Sequence, residues 1–153
     1  MKTNWNKDWR RSIIVLSGGF DPVHKGHLRM FRQASWLGHQ VIVGLNSDEW
    51  LTRKKGKPFM KFEERKEILE GFKYVNQVIP FDDSDESACD LIEKVDSMHN
   101  SDYNIYFANG GDRKVDNVPE VDVCKELGIQ MLWGVGGGKI QSSSWLIGEK
   151  ENV

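Results

Sequence analysis

The chain alternates between two patterns. Short apolar, β-branched runs are each followed by a stretch with helical spacing, and glycine marks most junctions. Ser12–Leu16 is the first run and leads into Gly18-Gly19; Met30, Phe31, Ala34 and Leu37 then recur at helical spacing up to Gly38. Val41–Leu45 is the second run. Phe62, Ile68, Leu69 and Phe72 follow, then a short strand within Val75–Phe81 and a helical stripe of Ala88, Leu91, Ile92, Val95 and Met98. A fourth run covers Tyr103–Ala108. Pro119 opens a helix that carries Val121, Cys124 and Leu127 and closes at Gly128, and Ile129–Val135 is the fifth run. Runs that are apolar throughout belong to strands covered on both faces.

Five β–α units of this kind predict an α/β, Rossmann-like five-stranded parallel sheet with helices on both faces and right-handed crossovers. At 153 residues there is room for one core. The expected organisation is an N-terminal extension over residues 1–11 and a single domain over 12–153. Charged residues make up 29% and the formal net charge is −2, so a global basic field for nucleic acid is absent. Any phosphate chemistry must use a local cluster of positive groups. No apolar run approaches the length of a membrane span. The polar start, with Trp5 and Trp9, lacks the apolar core of a secretory signal. Cys89 and Cys124 lie far apart without metal-site spacing, which predicts reduced structural thiols in a cytoplasmic protein.

In such a fold, ligands bind beyond the carboxyl ends of the strands. The first of these turns reads Gly18-Gly19-Phe20-Asp21-Pro22-Val23-His24-Lys25-Gly26-His27. Two glycines let the backbone approach a ligand. The histidines sit three apart at a helix start, on one face, with Gly26 leaving space between them. Unpaired N–H groups and imidazoles there can donate to a phosphate. A zinc pair is the alternative, but a third ligand of suitable spacing is missing. After the second strand, Arg53-Lys54-Lys55-Gly56-Lys57-Pro58 groups four cations in a stretch polar enough to read as a loop over 52–58. After the fourth, Asn109-Gly110-Gly111-Asp112-Arg113 forms a tight turn. After the fifth, Gly136-Gly137-Gly138-Lys139-Ile140-Gln141-Ser142-Ser143-Ser144 sets glycines and hydroxyls before a helix expected from near Ser142, an anion-binding pattern.

The His24-Lys25-Gly26-His27 string in its context resembles the H-x-G-H signature of the cytidylyltransferase-like nucleotidyltransferases. Phe62-Glu63-Glu64-Arg65, Asn46-Ser47-Asp48-Glu49 and Lys73–Pro80 resemble the glycerol-3-phosphate cytidylyltransferases. Gly110-Gly111-Asp112 resembles the heptose-phosphate adenylyltransferases as well. Ser142-Ser143-Ser144 is similar to the family's last motif, although Gln141 replaces the usual isoleucine and an expected arginine is absent. The resemblance implies transfer of CMP, or AMP, from a nucleoside triphosphate to a small phosphorylated acceptor such as glycerol 3-phosphate, with pyrophosphate released. His24, His27 and Lys54 would then stabilise charge on the phosphates. Gly18, Gly19, Phe20, Gly26, Gly110, Asp112, Lys139, Ser142, Ser143 and Ser144 would bind the nucleotide. Asp21, Arg65, Lys73 and Lys57 would hold the acceptor. Mg²⁺ would ride mainly on the triphosphate, with Asp21 the candidate to orient it or the acceptor. Relatives of this kind are often homodimers, and neither nucleic acid nor membrane is implied. A nucleotide-binding sensor without turnover is the reading from another class. A dinucleotide redox enzyme is disfavoured: G-x-G-x-x-G is absent, and Asn46 stands where an acid would end the second strand.

Overall fold

The computed structural model describes residues 10–110, 119–137 and 141–142. The strands are β1 (Arg11–Gly18), β2 (Gln40–Leu45), β3 (Gln77–Pro80), β4 (Tyr103–Gly110), β5 (Gln130–Val135) and β6 (Gln141–Ser142). The helices are α1 (Lys25–Leu37), α2 (Asp48–Lys55), α3 (Phe62–Glu70), α4 (Cys89–His99) and α5 (Glu120–Leu127). The sheet runs β3-β2-β1-β4-β5-β6. The five expected strands pair in parallel, with Ile13 opposite Gln40 on one side and Ile105 on the other.

Two details differ from the expectation. A sixth, two-residue strand pairs antiparallel with β5, setting Ser142 opposite Leu132 and Gln141 opposite Trp133. Ser142 therefore extends the sheet rather than opening a helix. The basic stretch is helical as far as Lys55. Polarity alone pointed to a loop, but the ends of this segment are well capped. The Ser47 side chain accepts from Trp50 N–H, Asp48 and Glu49 occupy the first turn, and Arg53, Lys54 and Lys55 the last. That order matches the helix dipole at both ends. The helix stops only at Gly56.

Alternate residues of β1 explain why its run is apolar throughout. Ile13 and Val15 face one core, with Leu91, Ile92 and Val95 of α4 and Cys124 of α5. Ile14 and Leu16 face the other, with Phe31 and Ala34 of α1 and Leu69 of α3. Helices therefore cover both faces. Strand order reverses between β1 and β4, both of which end on the same edge. A crevice opens at such a switch point.

Candidate active site

The crevice holds a cleft lined by Ser17 and Gly18 of β1, by His24, Gly26 and His27 of the first turn, and by Asn109, Val135 and Gly136 from the ends of β4 and β5. The backbone N–H of Gly136 donates to the side-chain oxygen of Gln33, which ties the end of β5 to α1. Gly136 has φ +91°, and a Cβ there would sit 3.1 Å from the Cα of Met30. A side chain at this position would push the strand end off the helix.

The two histidines cap α1 themselves. His24 Nδ1 accepts from Gly26 N–H at 3.1 Å, and His27 Nδ1 accepts from His24 N–H at 3.1 Å. The rings stack with centroids 3.8 Å apart, and Phe20 meets His27 edge-on at 4.8 Å. A Cβ on Gly26 would stand 3.0 Å from His24 Cε1 and displace that ring. A nitrogen that accepts a hydrogen bond carries no proton. In each neutral ring the proton is therefore on Nε2. Burial, and then the charge of His24, lowers the His27 pKa to about 4. Near pH 7 the cap thus presents His27 as a neutral Nε2–H donor beside a helix amino end.

The basic segment is built differently. Lys55 Nζ pairs with Asp21 Oδ2 at 2.9 Å, and the Asp21 side chain is 1% exposed. Asp21 also accepts from the N–H groups of Phe59 and Met60 at 2.6 and 2.7 Å. Burial pushes the Asp21 pKa up; the Lys55 hydrogen bond, the two backbone donors and the Lys55 charge outweigh it, and the pKa falls below its usual value. Both oxygens are thus engaged within the chain. Asp21 thus locks the basic segment to the first turn. Among the described residues no group of three or more His, Cys, Asp or Glu is placed to hold a metal ion.

Arg65 is engaged within the chain as well. Its side chain is 0% exposed and bonds Asp48 Oδ1 at 2.7 Å. Nε donates to Met60 O, and one terminal nitrogen donates to both Gly19 O and Asn46 O, each at 2.9 Å. A buried guanidinium needs such partners. Here they come from Gly19 and Asn46, which follow β1 and β2, from Asp48 at the start of α2 and from Met60 before α3, so the guanidinium ties these four segments together. Lys73 precedes β3, next to Asn76, which bonds the backbone of Val41 at the start of β2. That is the opposite edge of the sheet, so within one chain Lys73 does not join the first turn. Arg53 is taken up by Glu86 at 2.6 Å. Lys54 has no acidic partner among the described residues and lies 5.3 Å over the Trp50 ring. Lys57 is exposed.

Gly110 ends β4. Asp112, Lys139, Ser143 and Ser144 lie outside the described residues, and for Ser142 only the backbone pairing is described. Sequence reasoning passed over Asp83. This buried carboxylate accepts from Asn46 Nδ2, Ser47 N–H and the Ser47 hydroxyl at 2.8 to 2.9 Å. It thereby fixes the cap of α2, the helix that carries Lys54. Its position directly after the third strand was the available signal.

Residues 15–135 match the family described as Cytidylyltransferase-like. The chain belongs to that family. It is 34% identical over 80 residues to the glycerol-3-phosphate cytidylyltransferase of Bacillus subtilis, a stretch that takes in 52% of this chain and 62% of that protein. It is 33% identical over 126 residues to the bifunctional protein HldE of Wolinella succinogenes, covering 79% of this chain and 25% of that protein. The chain thus spans less than two thirds of either relative. The crystal structure of a lipopolysaccharide core biosynthesis protein from Thermoplasma volcanium shares the fold, with TM-score 0.65 and 18% identity over 84% of this chain and 99% of that one. Among the described residues no helix is long and apolar enough to cross a membrane.

Proposed function

We propose that this chain transfers a nucleotidyl group, CMP by first preference, from a nucleoside triphosphate to a small phosphorylated acceptor of the glycerol 3-phosphate kind. The observation that carries the reading is the self-capped histidine pair. Its hydrogen bonds use up both Nδ1 atoms and leave Nε2–H of each ring as a donor for phosphate oxygens. A phosphate oxygen of the acceptor attacks the α-phosphorus, the bond from the α-phosphorus to the bridging oxygen breaks, and pyrophosphate leaves. The acceptor phosphate is already ionised near pH 7, so a general base is not required. Catalysis rests on alignment and on donors aimed at the charge that builds on the α-phosphate. Lys54, the cation of α2 without an acidic partner, is assigned to the triphosphate. Mg²⁺ enters with the triphosphate, and no side chain of the chain is assigned to it.

CTP ranks first because Asn46–Glu49, Phe62–Arg65 and Lys73–Pro80, in the middle of the chain, resemble the glycerol-3-phosphate cytidylyltransferases. Adenylyl transfer to a heptose phosphate is the second reading, favoured by Gly110-Gly111-Asp112 and by the longer match to HldE. The test is pyrophosphate release with Mg²⁺ from CTP and ATP separately, against glycerol, heptose, choline and pantetheine phosphates. Release with CTP and glycerol 3-phosphate is expected. Release only with ATP and a heptose phosphate would select the second reading. Triphosphate binding without release from any pair would favour the non-catalytic sensor.

A further inference from the structure

The β4–β5 ladder slips at its carboxyl end. Asn109 pairs with Trp133 but Gly110 pairs with Val135, so an irregularity falls between Asn109 and Gly110. Bulges next to ligand sites commonly re-aim a side chain. Asn109 is 4% exposed, lines the cleft beside the histidines, and leaves its Nδ2 without a hydrogen-bond partner among the described residues. Nδ2 carries two N–H donors, and these are what the site leaves without a partner. Buried polar groups are nearly always bonded, and an exception in a binding cleft points to a partner that comes with the ligand.

The rest of the cleft says which part of a ligand that is. Leu16, Phe20, Met30, Ala108 and Val135 give it apolar walls, suited to a flat ring and not to phosphate. We propose that Asn109 binds the nucleobase of the triphosphate through its side-chain amide. Its Nδ2–H₂ group is a donor that meets an acceptor on a base edge. This inference rests on the nucleotidyl-transfer reading and adds a base contact on β4 to the phosphate contacts on the first turn.

Asn109→Leu, close in volume and apolar, tests it. Binding of CTP, ATP and inorganic triphosphate is measured for the wild-type chain and the variant, together with the thermal midpoint without ligand. The variant should bind the preferred nucleotide roughly tenfold more weakly, the equivalent of one hydrogen bond. It should bind inorganic triphosphate as before. It should also melt about 2–4 °C higher, because an unpaired buried N–H₂ donor has been removed. Unchanged nucleotide affinity would overturn the proposal, and so would an equal loss for inorganic triphosphate, which would move the contact to the phosphates. Wild-type protein that binds no nucleotide would overturn the functional reading itself, and this inference with it. Asn109→Ala, measured in the same way, decides the matter if the leucine variant fails to fold.

Discussion

The histidine turn and the basic segment both read, in sequence, as phosphate sites, yet they treat their polar groups in opposite ways. The turn spends one nitrogen of each imidazole on its own backbone and keeps the other as a donor. The basic segment spends two of its four cations inward, Lys55 on Asp21 and Arg53 on Glu86, and Arg65 of α3 is spent on Asp48 and three carbonyls. These three are thus first a scaffold, and Lys54 and the exposed Lys57 are the cations left for a ligand. Density of positive charge near a site does not measure how much of that charge a substrate can use. Geometry and partners decide it.

The sharpest way to break this contrast is Arg65→Ala. Removing this buried guanidinium leaves the Gly19, Asn46 and Met60 carbonyls short of a donor and opens a cavity, while the partly exposed Asp48 regains water. Global stability should fall by about 3–5 kcal/mol, read by urea titration. A variant as stable as the wild type that had only lost acceptor affinity would restore the phosphate-gripping role. His27→Ala probes the other region. It should lower kcat by about 10²–10³ while the fold persists, as loss of a donor to a developing oxyanion does. Near-normal turnover in that variant would remove the histidine pair from the mechanism. Lys54→Met should be milder, roughly 10- to 100-fold in kcat/KM for the triphosphate. Lys55→Met should act mainly on stability, since it leaves Asp21 buried with only two backbone donors. If the two lysines exchanged these effects, the division between scaffold and ligand would be wrong.

What the sequence made legible follows the same division. The histidine pair is legible because both of its hydrogen bonds close within His24–His27, and helix-start geometry makes the two histidines neighbours. The layered sheet was readable because burial on both faces forces runs such as Ile13–Leu16. Arg65 was not readable, because its four partners come from Gly19, Asn46, Asp48 and Met60, segments that only the folded chain brings together. Lys73 was misplaced for a simpler reason. A residue just before a parallel strand lies at the edge opposite the carboxyl ends of the strands, which a motif resemblance does not register. Residues 52–58 read as a loop on polarity, which does not register order: acids first and bases last after a serine cap carry α2 on to Lys55.

The smallest effect concerns acid. In the folded chain the His27 pKa is about 4, against 6.5 for a free histidine. Between these values the unfolded chain takes up a proton that the folded chain refuses. Stability from this group is therefore complete above pH 6.5 and is lost as pH falls towards 4. The direction follows from burial, which disfavours the imidazolium, and from His24 stacked alongside, whose own proton would repel a second charge. Asp21 pulls the same way only below its ordinary range near 3.8, so the two windows are separate. The thermal midpoint should fall on going from pH 7 to pH 5, and His27→Gln should flatten that fall while leaving the steeper loss below pH 4 in place. An unchanged slope between pH 7 and pH 5 in the variant would mean that His27 takes up its proton as readily in the folded chain as in the unfolded one. Below pH 6.5 the histidine turn would then present a cation to phosphate, as Lys54 does, and the contrast between the two regions would narrow to burial alone.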